Sequence, residues 1–420
     1  MHLFILDYCF KRGQKVFNRA PLFQEGKTMK IAFLADELAP GSAPVIIGNT
    51  IRGLRKLGYD ARCLLIVRKP YPELYPEIFS HYLRGDVPIE YILDRLPRFF
   101  AKYNFKFPGF SFFSFHHISS GLFSPFVFRQ KEWDLIIANC QYTSFVARPL
   151  SVFRKIPYLQ LIWDPAPYTF KKIYSKRKMK LFSPLLYPLT TILDKFAYGG
   201  AKAIITSGKL HHGYLKKVTA KNLEVLYPGC APLDKLPDYN LRQKFILTYD
   251  RWDIGNIPNL YLDLLEGVKD KEVKLMIGGF WHPEGLKEDF LTELKKRGLL
   301  NRVQLLGPLN EDKIKMLCSQ AMVHVHHNEE AFGMQSLEAA ACGCPIIIPS
   351  GSGVTDLFEH GVHGYFPPKE NIEQLIYYVN LIFNDKVKSS EMGRRAWEAA
   401  KTHTWQTYID KLDEIIRRYS

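Results

Sequence analysis

Two glutamates with seven residues between them, Glu330 and Glu338, are the first candidates for chemistry in this 420-residue chain. They lie in the stretch HNEEAFGMQSLEAAACGCPIIIPSGSGVTDLFEHGVHGY, residues 327–365. Carboxylates accept hydrogen bonds from the paired hydroxyls of a ribose or a hexose. Glu330 precedes a helix predicted to begin near Gly333, and Glu338 lies inside it. The small residues Ala339 to Ala341 leave room beside that carboxylate. Free amides at a helix N-terminus bind anions, and Gly333 lets a ligand approach the backbone. Residue types alone leave an alternative open: a solvated loop acid and a helix acid paired with a lysine. His324, His326 and His327 stand close by. Strand alternation puts His324 and His326 on one face, so a metal is conceivable there. GSG at 351–353 is no GxSxG elbow, and the chain has no GxxxxGK[ST] loop.

The elements that must position these residues follow from hydropathy. KIAFLA (30–35) reads as a buried strand, followed by the loop APGSAP (39–44). A helical pattern then carries Ile47, Ile51, Leu54 and Leu57 on one side and stops at Gly58. With ARCLLIV (61–67) as the next strand, this is a βαβ unit opening a parallel sheet. DLIIAN (134–139), PYLQLIW (157–163) and KAIITS (202–207) are further strands. PGCAPLDKLPDYN (228–240) reads as a hinge. The alternation restarts with FILTYD (245–250), VKLMIGG (273–279), RVQLLG (302–307), AMVHVH (321–326) and PIIIPS (345–350). Trp405, Tyr408, Ile409, Leu412, Ile415, Ile416 and Tyr419 have helical spacing. Two doubly wound α/β sheets joined by a hinge enclose a cleft, with ligands at the carboxyl ends of the strands.

The 327–365 stretch resembles the signature of the family-4 glycosyltransferases of the GT-B fold. Glu330, Phe332, Gly333, Glu338, Ala339, Gly343 and Pro345 fall in its pattern, as do Gly353, Gly361 and Gly364. The resemblance runs over about residues 29–420 and includes KIAFLADELAPG, SGKLHHGYL and VLYPG. It implies two Rossmann-like domains facing a cleft, with the last helix returning to the first domain. It also implies a retaining hexosyltransferase using a nucleotide diphosphate sugar, with no metal and no other cofactor. On this resemblance Glu338 binds the ribose, and Glu330 contacts the donor sugar. Phe332, Gly333 and Met334 offer backbone amides to sugar and phosphate. The histidines become cleft-lining or packing residues.

The family's arginine–lysine phosphate clamp corresponds to YDRWDIGNIPNL (249–260). Arg251 matches the arginine and is a suitable bidentate clamp. Where the lysine belongs stand Asn256 and Ile257. Asn256 can donate a hydrogen bond but brings no charge, which leaves a catalytically impaired scaffold or sensor as the alternative. The histidine that the family often places beside the donor sugar is replaced by Trp163-Asp164-Pro165. Trp163 could stack on a sugar ring, and Asp164 could orient or deprotonate an acceptor hydroxyl. Gly41 occupies the first-domain loop facing the diphosphate, and Gly279 a loop near the nucleotide.

Composition limits the partners. The chain carries 57 Lys plus Arg and 42 Asp plus Glu, a formal charge of +15. Residues 1–240 hold a net +18 and residues 241–420 a net −3. A charged fraction of 24% and a hydrophobic fraction of 47% exclude a disordered chain. The seven cysteines show no CxxC pair, which favours buried thiols in a reducing compartment. The excess charge includes KKIYSKRKMK, with Lys171, Lys172, Lys176, Arg177, Lys178 and Lys180, followed by Phe182 and an apolar run. FFAKYNFKFPGFSFFSF (99–115) mixes phenylalanines with lysines. Both suit the headgroup boundary of an anionic bilayer, with a lipid or glycan acceptor; a soluble acceptor is the alternative, and a solvated basic face with loop aromatics tucked into a core would read the same way. No nucleic-acid recognition motif is found. The expected layout is an extension (1–28), an acceptor-side domain (29–232 plus 401–420) and a donor domain (240–400). The expected location is cytoplasmic, peripheral on a membrane's cytoplasmic face.

Overall fold

Apolar runs bounded by turn residues form the strands of two parallel sheets. The computed structural model describes residues 28–420 except 70, 75, 77–78, 81–82, 84, 108–109, 169, 171–182, 254–255 and 283–284. The first half contains β1 (Lys30–Ala35), β2 (Asp60–Leu65), β3 (Ile89–Tyr91), β4 (Lys106–Phe107), β5 (Phe110–Ser114), β6 (Leu135–Asn139), β7 (Tyr158–Ile162), β8 (Ala203–Thr206) and β9 (Asn222–Val225). Seven of these form one sheet in the order β3-β2-β1-β6-β7-β8-β9, while β4 and β5 make a separate hairpin. The second half contains β10 (Gln243–Trp252), β11 (Lys274–Trp281), β12 (Val303–Gly307), β13 (Ala321–Val325), β14 (Ile346–Ile347) and β15 (Gly364–Tyr365). They form a sheet in the order β12-β11-β10-β13-β14-β15. Each sheet reverses its strand order once, between β1 and β6 and between β10 and β13. Crevices open at such switch points, at the carboxyl ends of the strands.

Strand alternation distributes side chains between layers. Ile31, Phe33 and Ala35 join a core that runs on to Phe245, Leu247 and Tyr249 of β10. Ala32 and Leu34 point into a second core on the other face. Ile246, Leu275, Ile277 and Val323 build a third, behind the second sheet. The helix Trp405–Tyr419 returns to the first domain and packs on the helix Ser42–Lys56. The Tyr59 hydroxyl donates to Asp413 Oδ1 (2.5 Å), and the Thr50 and Tyr408 hydroxyls lie 3.1 Å apart. Burial of Ile409, Leu412, Ile415 and Ile416 contributes about 1.5–3 kcal/mol each. The outgoing and returning connections are tied together. Cys230 N donates to His403 O (2.9 Å) and Trp405 N to Cys230 O (3.3 Å).

The buried Arg242 guanidinium anchors the site helix from behind. It donates to Cys318 O (2.7 Å), Ala321 O (2.6 Å), Cys342 O (2.9 Å) and Gly343 O (2.8 Å). The carboxyl ends of the helices Glu311–Gln320 and Met334–Ala341 thus share one cation. Their amino ends point toward the cleft side.

One strand is shorter than expected. PIIIPS contributes only Ile346–Ile347 to the ladder, because the prolines at either end donate no N–H. The 99–115 run forms a short helix, Arg98–Lys102, and the β4–β5 hairpin, and its Phe100 packs against the second core. Phe99 (63%), Tyr103 (50%) and Phe105 (54%) remain exposed there. The basic run with Lys171, Lys172, Lys176, Arg177, Lys178, Lys180 and Phe182 lies outside the described residues. Among the described residues no helix is long and apolar enough to cross a membrane. Cys63, Cys140, Cys230, Cys318, Cys342 and Cys344 are free thiols, all but Cys140 buried.

Candidate functional site

A cavity of about 100 Å³ lies between the two domains, at the switch point of the second sheet. Gly41, Ser42 and Val45 form its first-domain wall, at the start of the helix Ser42–Lys56. Arg251, Gly279, Met334 and Glu338, all expected from sequence, line the other side. Tyr249, Asp250, Phe280, Leu309, Ile314 and Gln335 complete it. Sequence reasoning passed over these six. Tyr249 and Asp250 adjoin Arg251 in a segment already singled out. Leu309 and Ile314 carried no local signal, since only the fold brings them to the cavity.

Glu338 is set deep in this wall. The Tyr249 hydroxyl lies within donating distance of its Oε2 (2.9 Å) and of the Gln335 carbonyl (3.1 Å). Burial pushes the Glu338 carboxyl up to about 7, against the lowering effect of the Tyr249 hydrogen bond. Its other oxygen is a fixed acceptor for a ligand hydroxyl. Gly333 adopts φ +101 and starts the helix Met334–Ala341 without a side-chain cap. That leaves backbone donors at the helix start for an anion or a polar oxygen. Gly279 (φ +117) has no substitute: a Cβ there would overlap the Asp250 carbonyl oxygen. Phe332 is buried, 6.1 Å from the Tyr227 ring, so its side chain packs rather than facing the cavity.

Beside Arg251 the charges are mostly negative. The half-exposed Arg251 guanidinium is 3.4 Å from Asp253 Oδ2. Asp250 receives Arg251 N at Oδ1 (2.7 Å) and Asn256 Nδ2 at Oδ2 (2.6 Å). Asn328 Nδ2 in turn donates to Asn256 Oδ1. Asn256 is therefore engaged in orienting Asp250 and does not line the cavity. His326 Nε2 lies 3.4 Å from Glu330 Oε1 and 3.8 Å from Asp250 Oδ2. Burial raises the Asp250 carboxyl above its ordinary range, with Glu330 adding to the effect and His326 opposing it. Burial pushes the His324 imidazole down to about 3, so it stays neutral.

The first domain faces this wall with a different set. At the carboxyl end of β1, Asp36 Oδ1 is 2.6 Å from His117 Nε2. The His117 Nδ1 accepts from Ser114 N (3.1 Å), which leaves Nε2 as the donor to Asp36. Trp163 donates its Nε1 to Asn139 Oδ1 (2.6 Å), which ties down its ring edge. Asp164 Oδ1 lies 3.5 Å from His211 Nε2, and His211 Nδ1 is 2.7 Å from the Trp163 carbonyl. Asp164 stands outside the cavity wall, one-third exposed. Neither the Asp36–His117 pair nor His211 was singled out from sequence, because their partners come from distant strands.

Residues 237–402 match the family described as glycosyl transferases group 1. An uncharacterised glycosyltransferase of Methanocaldococcus jannaschii is 30% identical over 113 residues, 27% of this chain and 28% of that protein. The D-inositol 3-phosphate glycosyltransferase of Mycobacterium marinum is 27% identical over 151 residues, 35% of this chain and 32% of that protein. The chain thus spans about a third of the length of these two relatives. The crystal structure of Anabaena HepE in complex with UDP and glucose superposes with a TM-score of 0.69 at 19% identity. It covers 93% of this chain and 100% of that one, a likeness of fold. The second domain thus resembles the glycosyl transferases group 1, and nearly the whole chain shares the two-domain GT-B fold.

Proposed function

We propose that the chain moves a hexose from a nucleotide diphosphate sugar to an acceptor hydroxyl, with retention of anomeric configuration. The acceptor is a lipid-linked glycan or glycolipid precursor at the cytoplasmic face of a membrane. The observation that carries this reading is Glu338, a half-buried carboxylate held by Tyr249 in the wall of the interdomain cavity. Its geometry suits a ribose diol. The diphosphate then falls between Arg251, the Gly41 loop and the start of the helix Met334–Ala341, where a cation and amides stabilise the leaving group. Glu330 holds the donor sugar, and Asp164 or Asp36 orients the acceptor hydroxyl. The membrane side of the reading is supported by the net +18 of residues 1–240 and by the exposed Phe99, Tyr103 and Phe105.

Asn256 in place of a lysine favours one second reading, a sugar-nucleotide sensor that binds without transferring. A thermal-shift screen of UDP, GDP and ADP sugars, followed by transfer assays with lipid extracts, tests both. Stabilisation by one nucleotide family plus sugar transfer is the expected outcome. Binding with no hydrolysis and no transfer would establish the sensor, and no stabilisation by any nucleotide sugar would overturn the donor site.

A further inference from the structure

Three helices cover one face of the first sheet: Phe115–Val127, Ser144–Arg154 and Ser183–Gly199. Their inner residues, among them Val146, Leu150, Ala197 and Tyr198, fill the second core, while the returning helix packs on the first. The layer is close-packed. A Cβ on Gly121 would overlap the Phe145 carbonyl oxygen. The Phe145 and Phe196 rings stack at 5.1 Å, and Arg154 Nε donates to Pro125 O.

A surface helix ordinarily turns polar residues outward. Here several outward positions are apolar. Phe126 is 78% exposed and Phe153 71%, and Leu122, Val152 and Ile192 are each more than half exposed. Leu122 and Phe126 stand one turn apart on one side of their helix. None of these five residues belongs to the 99–115 run, and none lines the interdomain cavity. Large side chains concentrated on one face in this way mark a surface that something covers.

The charges around them say what covers it. Residues 98–155 carry eight lysines and arginines and two carboxylates. Both carboxylates are occupied: Glu132 pairs with Arg95 at 2.5 Å, and Asp134 accepts from Lys30 N at 2.8 Å. Arg129, Lys131, Lys155 and Lys195 are exposed and follow Phe126, Phe153 and Ile192 closely in the chain. Lys131 and Lys155 adopt φ of 60 and 59, a left-handed conformation that suits glycine. A lysine kept at such a strained turn points to a use for its charge. A second copy of the chain laid on this face would set these cations against their own kind. A soluble glycan offers no hydrocarbon to cover the rings. An anionic bilayer offers acyl chains for the rings and headgroups for the cations.

We propose that the outer face of these three helices docks on an anionic lipid bilayer. Phe126 and Phe153 enter the acyl boundary, and Arg129, Lys131, Lys155 and Lys195 meet the headgroups. This rests on the membrane reading of the proposed function and adds to Phe99, Tyr103 and Phe105 a second, larger contact. It also orients the molecule, since the returning helix lies on the opposite face of the first sheet, away from the lipid.

The test uses the full chain and two kinds of vesicle, phosphatidylglycerol with phosphatidylethanolamine and phosphatidylcholine alone. The parent is expected to float at least about tenfold more strongly with the anionic vesicles. Phe126→Ser combined with Phe153→Ser is expected to lower that partition at least about tenfold while keeping the parent's circular dichroism and thermal transition. Lys131→Gly combined with Lys155→Gly removes two charges and relieves two left-handed turns. Partition should then fall at least about fivefold with no loss of thermal stability. If the phenylalanine pair fails to fold, the lysine pair decides in its place. A parent that floats, with a folded variant that floats equally well, overturns this face and leaves the membrane reading to Phe99 and Phe105. A parent that floats with neither vesicle overturns the membrane reading itself, and this contact with it. A dimer in sedimentation equilibrium that the two serines dissolve makes the face a contact between copies and overturns the lipid assignment.

Discussion

The second-domain wall of the cleft is made of groups that hold one another. Glu338 is fixed by Tyr249, Asp250 by Asn256, and Asn256 by Asn328. These side chains are partly or fully buried; Glu338 sits in the helix Met334–Ala341 and the others lie on or just beyond strand ends. The first domain instead presents Phe99, Tyr103 and Phe105, half exposed or more, on a short helix and the segment just after it, within a strongly basic half of the chain. The contrast matches two kinds of partner. A small polar ligand is discriminated by preorganised acceptors whose positions are determined before it arrives. A broad, chemically loose surface is met by exposed rings and net charge, where exact placement matters little. On the proposed function, one half of the molecule takes a defined molecule and the other meets an environment.

Four measurements break or sharpen that contrast. Gly279→Ala should cause the largest loss, because its Cβ would overlap the Asp250 carbonyl at a positive φ. A destabilisation of about 3 kcal/mol in denaturant unfolding is expected, and a neutral result would mean that the cavity wall is not rigid. Glu338→Ala should leave the fold intact and weaken nucleotide binding by about 100-fold in calorimetry, the loss of charge-assisted bonds to a diol. Unchanged affinity would remove Glu338 from the site. Replacing both Phe99 and Phe105 by Ser should lower partition onto anionic liposomes by about tenfold with no change in nucleotide affinity. Salt should weaken the same flotation. If nucleotide binding falls as well, the two walls are coupled and the division fails.

The smallest effect is in pH. The Glu338 carboxyl has an ordinary value of 4.5 and is raised to about 7 by burial. Ionised, it accepts ligand hydroxyls more strongly, so nucleotide affinity should rise about fivefold from pH 6 to pH 8. Stability moves the other way. Between 4.5 and about 7 the folded protein keeps a proton that the unfolded chain loses, so this contribution is present below 4.5 and is lost as pH rises through 7. Glu338→Gln should flatten both curves; a slope that survives it belongs to another group.

Long buried runs were readable from the amino-acid order, and with them both sheets. β1, β6 and β7 lie with their cores on both faces, so their residues are apolar without interruption. β3, β9 and β15 were not legible. β3 and β9 are edge strands of partly exposed residues, and Gly364–Tyr365 is a two-residue bridge with no pattern to detect. In the site, Glu330, Gly333 and Glu338 lie within nine residues of each other, and such local spacing survives in sequence. The Asn328–Asn256 contact joins positions 72 apart, and His117–Asp36 joins positions 81 apart. Nothing local marks such pairs, because the sheet order brings them together.

The returning helix Trp405–Tyr419 also decides the order in which the molecule can be finished. Its Tyr408 meets Thr50 across 358 positions of sequence. During synthesis the helix Ser42–Lys56 therefore leaves the ribosome long before its cover exists, with Ile46, Ile47, Ile51 and Leu54 waiting on the inner side. The second domain, whose strands and helices all lie between those two contacts, can close its sheet while the first is still incomplete. Growing chains thus carry an unsealed apolar seam for most of their time on the ribosome, a place where a holding chaperone would bind and from which the arriving helix would displace it.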